Sequence, residues 1–185
     1  MDGGLDWYTP GDFDRQLVLG NASKRVSNTV AASGEAKVFP AGSILVVSIG
    51  ATLGKLGLTD RTASANQQIN ALLLPEACNG RFFAYSLSVK VEVMRFLSNA
   101  STIGIMNQER TKEIAVAVPP AVDQGEIADF LDLETGKVAT LTAEALRAVA
   151  LLNERRSALI AAAVTGQIDV RGAVAPAMSA QKVAA

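Results

Sequence analysis

The sequence predicts an α+β chain. A β-rich domain covers residues 1–120, and a long coiled-coil-forming α-helix with a short terminal strand covers 121–170. A tail over 171–185, Ala-rich and aperiodic, is expected to be disordered. Three observations carry this reading. Pro119–Pro120 divides the chain. Before that seam, short β-rich runs alternate with turn residues. After it, Asp123–Val164 contains no proline, and its apolar residues recur near every seventh position.

Within the first part, "FPAGSILVVSIGATLGKLGLTD" places a turn at Pro40–Gly42, a strand over Ile44–Ile49 and a return through Gly57. "NQQINALLLP", Asn66–Pro75, reads as a second strand closed by its proline. "RFFAYSLSVKVEVMRFLSNAS" reads as helix, because Phe82, Phe83, Leu87, Met94 and Leu97 mostly recur at helical spacing. "TKEIAVAVPP" reads as a strand over Ile114–Val118, broken by the two prolines.

In the second part, Leu131, Val138, Ala145, Leu152 and Leu159 sit seven apart. Leu141 and Ala148 take the other seam position, Glu134 and Arg155 interrupt it, and Val149 and Ala163 widen the stripe. Forty residues of helix extend about 60 Å, too far to fold back into a small domain, so a partner helix is expected. Glu154, Arg155 and Arg156 read as a flank that selects partner and register, or as a solvated face. Ala161–Ala163 offers small side chains for close packing, and Thr165–Gly166 stop the helix.

Composition narrows the function. The formal charge of −1 gives no global polycation signature. One cysteine, Cys78, and no histidine fit a reducing compartment and nearly exclude zinc sites and histidine acid–base chemistry. With no paired-carboxylate loop either, an enzyme is the weakest reading. No apolar run approaches the roughly 20 residues needed to span a bilayer. The acidic start "MDGGLDWYTPGDFD" lacks an apolar signal core, and the chain reads as cytoplasmic. It contains no internal repeat.

Three polar stretches are candidates for contact with double-stranded DNA. In "SIGATLGK", Ser48, Thr52 and Lys55 either sit on a loop facing the duplex or belong to a plain hairpin. The stretch is no nucleotide-phosphate loop, because its Gly–Lys pair lacks the following Ser or Thr. In "ANQQIN", Asn66, Gln67 and Gln68 either pair with adenine in the major groove or cap a turn. In "SNASTIGIMNQER", Ser101, Thr102, Asn107 and Gln108 either donate to phosphates or stay solvated. Lys24, Arg25, Lys37, Lys55 and Arg61 against Glu35 and Asp60 leave a modest, salt-sensitive positive excess.

"VPPAVDQGEIADFLDLETGKVATL" followed by "LLNERRSALIAAAVTGQIDVR" resembles the specificity subunits of type I restriction-modification systems. In that family a target-recognition domain ends in a "PP…EQ" junction and a long helix follows. Here the junction reads Pro119, Pro120, Asp123, Gln124, with Asp123 and Gly125 departing from the usual residues. "WYTPGDF", "FPAGSILVVSIGATLGK", "ANQQINALLL" and "STIGIMNQERTKEIAVAVPP" are similar to pieces of the recognition domain, so the resemblance runs from about Trp7 to Arg171. A full subunit carries two recognition domains and two helices. This chain has one of each and resembles a half-subunit. The family's domain opens some tens of residues before the "WYTPGDF" segment, so domain 1–120 is expected to be N-terminally truncated or to have a misassigned start.

The resemblance implies a non-catalytic chain that reads a DNA half-site through Ser48, Thr52, Lys55, Asn66, Gln67, Gln68, Ser101, Thr102 and Asn107. It implies a helix that pairs with a twin or a sister specificity chain through Leu131, Val138, Leu141, Leu152, Arg156, Leu159 and Ala163. It also implies docking of methyltransferase subunits and a restriction/translocase subunit, with S-adenosylmethionine, ATP and magnesium on those partners and no cofactor or metal in this chain. The alternative is a truncated interaction module that dimerises or binds methyltransferase without reading DNA.

Overall fold

The computed structural model describes residues 4–14, 16–98 and 104–171. Ser101, Thr102 and the tail from 172 onward, three of the expectations above, lie outside the described residues. The chain divides into two compact units, Met1–Asp132 and Leu133–Ala185.

The first unit is built on two small sheets. Strands β1 (Leu5–Tyr8), β2 (Arg25–Val26), β3 (Val38–Phe39) and β6 (Ala63–Ala65) form one, in the order β2-β1-β6-β3. Its β1–β6 pair is parallel, and its other two pairs are antiparallel. Strands β4 (Ile44–Val47), β5 (Leu56–Leu58) and β7 (Ile69–Leu72) form the other, antiparallel and in the order β5-β4-β7. Short helices α1 (Asn28–Ser33), α2 (Gly80–Ser88), α3 (Val91–Leu97) and α4 (Gln108–Lys112) complete the unit before α5 (Ala121–Val164) begins.

The run "ILVV" of β4 is apolar at every position because both its faces are covered. Ile44 and Val46 pack with Phe82, Phe83, Leu87 and Met94 of α2 and α3. Leu45 and Val47, one residue out of phase, pack with Tyr8, Phe13, Leu19 and Ile69. One central strand thus separates and joins two cores.

The segment "WYTPGDF" closes the second of these cores. Thr9 and Asp12 form a capping box: the Thr9 N–H and hydroxyl both donate to Asp12, at 2.7 Å each. The Ser23 N–H donates to the other carboxylate oxygen at 2.8 Å. Burial opposes the Asp12 charge, but the bonds from Ser23 and Thr9 outweigh it and hold the carboxyl below its ordinary value. A depressed carboxyl contributes stability that is present above its unfolded pKa, about 3.9, and lost as pH falls through the folded value. Asp12→Asn is therefore expected to flatten the acid limb of the stability curve below about pH 4. Urea midpoints measured from pH 7 down to pH 2 check this; parallel curves for the two proteins would refute it.

Several expected elements differ in the structure. The helix read across "RFFAYSLSVKVEVMRFL" is two helices, α2 and α3, broken at Val89–Lys90. The strand expected over Ile114–Val118 is absent: those residues pair with no strand among the described residues. Their alternation has another cause. Ile114 is buried in the core and Val116 packs against it, while Ala115 and Ala117 face solvent. The strand over Asn66–Pro75 shortens to Ile69–Leu72, and that over Ile44–Ile49 to Ile44–Val47, with Ile49 in an isolated bridge to Ile105. No strand forms over residues 167–170 either.

The first compact unit also runs past the Pro119–Pro120 seam, because the opening turns of α5 belong to its core. Gln124 and Ala128 are buried. The Gln124 side chain accepts from the Asn79 N–H at 3.0 Å and donates to the Pro119 carbonyl at 2.8 Å. Asn79 in turn caps α2, accepting from Arg81 and Phe82. Arg81 then pairs with Asp129 at 2.7 Å and with Asp132, to which Tyr85 also donates.

In the second unit, the helix ends in a Schellman motif. Gly166 lies at φ 75°, its N–H donates to Ala163, and Gln167 donates to Ala162. That arrangement realises the stop expected at Thr165–Gly166. Gly136 sits inside the helix, where an added Cβ would meet nothing within 4 Å. Gly136→Ala is expected to stabilise the helix by about 1 kcal/mol, removing the backbone entropy that glycine carries. Thermal melting followed by circular dichroism at 222 nm should show a later loss of helix signal; an earlier one would count against it.

Candidate nucleic-acid interface

Hydrogen bonds tie together the described parts of the three polar stretches singled out in the sequence. Ser48 is the knot between them. Its N–H and hydroxyl both donate to the Gln68 carbonyl, at 2.8 and 2.9 Å, and its own carbonyl accepts from the Met106 N–H at 2.8 Å. Gly50 donates to Gly104 at 3.1 Å, and the Ile49–Ile105 bridge runs alongside. Asn70 adds a second tie, its amide donating to the Met106 carbonyl at 2.9 Å and to the Thr111 hydroxyl at 2.8 Å. Residues 48–55, 66–70 and 104–111 therefore form one bonded frame.

This frame borders a cleft of about 550 Å³. Asn66–Asn70 and Gln108 line it together with Trp7, Glu35, Lys37 and Phe39.

The individual expectations divide. Ser48 is only 3% exposed, and its hydroxyl is already engaged; its place is inside the frame, not on a DNA-facing surface. Thr52 is half-buried in the hairpin turn, where its carbonyl accepts from the Lys55 N–H. Lys55 is exposed, with Nζ 3.1 Å from the Phe13 carbonyl. Asn66 and Gln68 are bonded to each other: Asn66 Oδ1 accepts from the Gln68 N–H at 3.1 Å, and Asn66 Nδ2 donates to Gln68 Oε1 at 3.2 Å. This is the turn-capping role weighed from the sequence. Gln67, between them, is exposed, and no protein group among the described residues binds its side chain. Asn107 is exposed and caps α4, accepting from the Arg110 N–H at 2.9 Å.

Asp6 removes one charge from the positive excess over Lys24–Arg61. Arg25 and Arg61 both approach the buried Asp6, at 3.6 and 3.8 Å, and Arg61 also clasps Asp60 and Asn21. Asp60, bonded by that guanidinium, is held below its ordinary pKa. Lys24 lies over the Trp7 ring, 5.8 Å from its centroid. Lys37 stands exposed in the cleft. Asp6, Trp7 and Asn70 were missed by the sequence reading. Asp6 and Asn70 are single polar residues inside strands, where a side chain that holds the fold together has no motif to announce it.

Against known proteins, the type I restriction modification DNA specificity domain matches residues 1–144. The chain belongs to that family. The matched family is a DNA specificity domain, not a catalytic one.

Solved structures agree on the fold. A chain from work on complex assembly and conformational transition of the type I R-M system superposes with a TM-score of 0.67 at 19% identity, over 86% of this chain and 38% of that one. The HsdS subunit from Thermoanaerobacter tengcongensis gives 0.52 at 17%, over 75% and 32%. The type I restriction-modification system S subunit from M. genitalium gives 0.50 at 18%, over 77% and 35%. The specificity-domain chain thus spans roughly a third of the length of the subunits it resembles. No helix among its described residues is long and apolar enough to cross a membrane.

Proposed function

We propose that this chain is a DNA sequence-recognition subunit of a type I restriction-modification complex. It reads one half-site with the face around the cleft, and it acts in the cytoplasm. Its helix pairs with that of a twin or a sister specificity chain, and the assembly docks methyltransferase and restriction subunits, which carry S-adenosylmethionine, ATP and magnesium. The observation that carries the reading is the joining of the 48–55, 66–70 and 104–108 segments into one hydrogen-bonded frame beside an amide-lined cleft in a chain of the specificity-domain family. Base contacts need such a frame, because phosphate contacts position a protein without conveying sequence.

On this reading Thr52, Lys55, Gln67 and Asn107 remain at the DNA, while Ser48, Asn66 and Gln68 hold the backbone that presents Gln67. The 44-residue helix is about 66 Å long and acts as the spacer between two reading units, more than one DNA turn of about 34 Å. The test is selection from random double-stranded DNA by the full chain with a methyltransferase subunit added. A short recovered motif is expected; recovery of random sequence would sink the reading.

A further inference from the structure

The cleft is lined by five side-chain amides, and they divide into two chemical classes. Asn66 and Gln68 satisfy each other and their own turn. Asn70 spends its amide on Met106 and Thr111. Gln67 and Gln108 are both exposed, and no protein group among the described residues binds either side chain. Yet the backbone under each of these two is held. Gln67 stands on the turn that Asn66 closes and that Ser48 ties down through Gln68. Gln108 opens α4, which Asn107 caps and which Asn70 anchors through Thr111. A fixed backbone bearing an amide with its donor and acceptor both unspent is what bidentate recognition of a base edge requires.

We propose that Gln67 and Gln108 are the base-reading residues of this face, each recognising the adenine of an A·T pair, and that Asn66, Gln68 and Asn70 are their frame. The inference rests on the half-site reading above and goes further by assigning the specificity to two residues. A glutamine amide accepts from adenine N6 and donates to N7, a pattern that no other base presents in the major groove. A carboxylate at the same place can only accept, and the group it matches is the N4 amine of cytosine.

The experiment repeats the random-DNA selection with Gln67→Ala, Gln108→Ala and Gln67→Glu, with thermal midpoints as the folding control. Both alanine variants should melt as the wild-type chain does, since the side chains are exposed. Each should lose about tenfold or more in preference for A·T at one motif position, a different position for each. Gln67→Glu should turn its position towards C·G, a change that no purely structural role would produce. A wild-type motif that all three variants keep would overturn this assignment and leave the half-site reading standing. Selection of no motif by the wild-type chain would overturn both.

Discussion

Gln124→Ala should lower the stability of the first unit by about 2–4 kcal/mol, the most damaging single substitution expected outside the apolar cores. Gln124 is 3% exposed and sits where three elements meet. Its amide joins the N-terminus of α2, through the Asn79 N–H, to the proline seam, through the Pro119 carbonyl. Its backbone N–H continues the helix by donating to Pro120 at 3.1 Å. Alanine would keep the helix but strand one donor and one acceptor, and a buried group left without its partner costs about 1–3 kcal/mol. A cavity would add to the loss. Gln124→Met separates the two effects, since methionine fills nearly the same volume without bonding. The methionine variant should recover only the packing share, leaving about 2 kcal/mol missing in urea unfolding at unchanged m-value. Equal midpoints for Gln124→Met and the wild-type chain would show that the two bonds contribute nothing net.

The same residue shows what was legible in the sequence. Gln124 stood out within the Pro119–Pro120–Asp123–Gln124 junction, but its function did not. A glutamine in a first helical turn looks like a solvated residue, and only the approach of α2 buries it. The long helix was legible to within a few residues because it depends on local properties: no proline, good helix formers and a glycine stop at Gly166. The β-rich part was legible as a class but less so in detail. Ile114, Val116 and Val118 alternate as a strand does, yet alternation only states that one side faces a core and does not supply a neighbouring strand. Two helices were read as one because Val89–Lys90 contains no glycine or proline to mark the break.

The candidate site followed the same rule. Each polar stretch was identifiable, but which of its side chains are free depends on partners far along the chain. Ser48 is spent on Gln68, and Asn70 on Thr111. The surplus of cations over Lys24–Arg61 is reduced by Asp6, which lies outside that range and comes beside Arg25 and Arg61 only when β1 pairs with β2 and β6.

The other large effect is expected on the second unit. Val138, Leu141, Val149, Leu152, Leu159 and Ile160 are all exposed, each by at least half. At 100° per residue they fall on one face, together with Ala145, Ala148 and Ala163. Leu131 and Ala163 lie on the same face but are half-buried within the single chain, so they have less of their surface left to offer than the exposed leucines. Arg156 lies inside the stripe, where a single polar residue fixes register at some cost in stability. If two chains pair through this face, Leu141→Glu with Leu152→Glu removes four leucines from the dimer. At about 1.5–3 kcal/mol for each buried leucine, the loss is about 6–12 kcal/mol, which raises the dissociation constant by more than about four orders of magnitude. Light scattering should therefore give twice 19.3 kDa for the wild-type chain and a single 19.3 kDa for the double variant. Helix content should be kept in the variant, because both positions are exposed within one chain. Removal of the helix after Pro120 should likewise abolish pairing, although it also removes Gln124 and Ala128 from the first unit's core, so the double variant is the cleaner probe. A wild-type chain that is monomeric at tens of micromolar would refute pairing with a twin and leave a sister specificity chain or a methyltransferase subunit as the partner for this face.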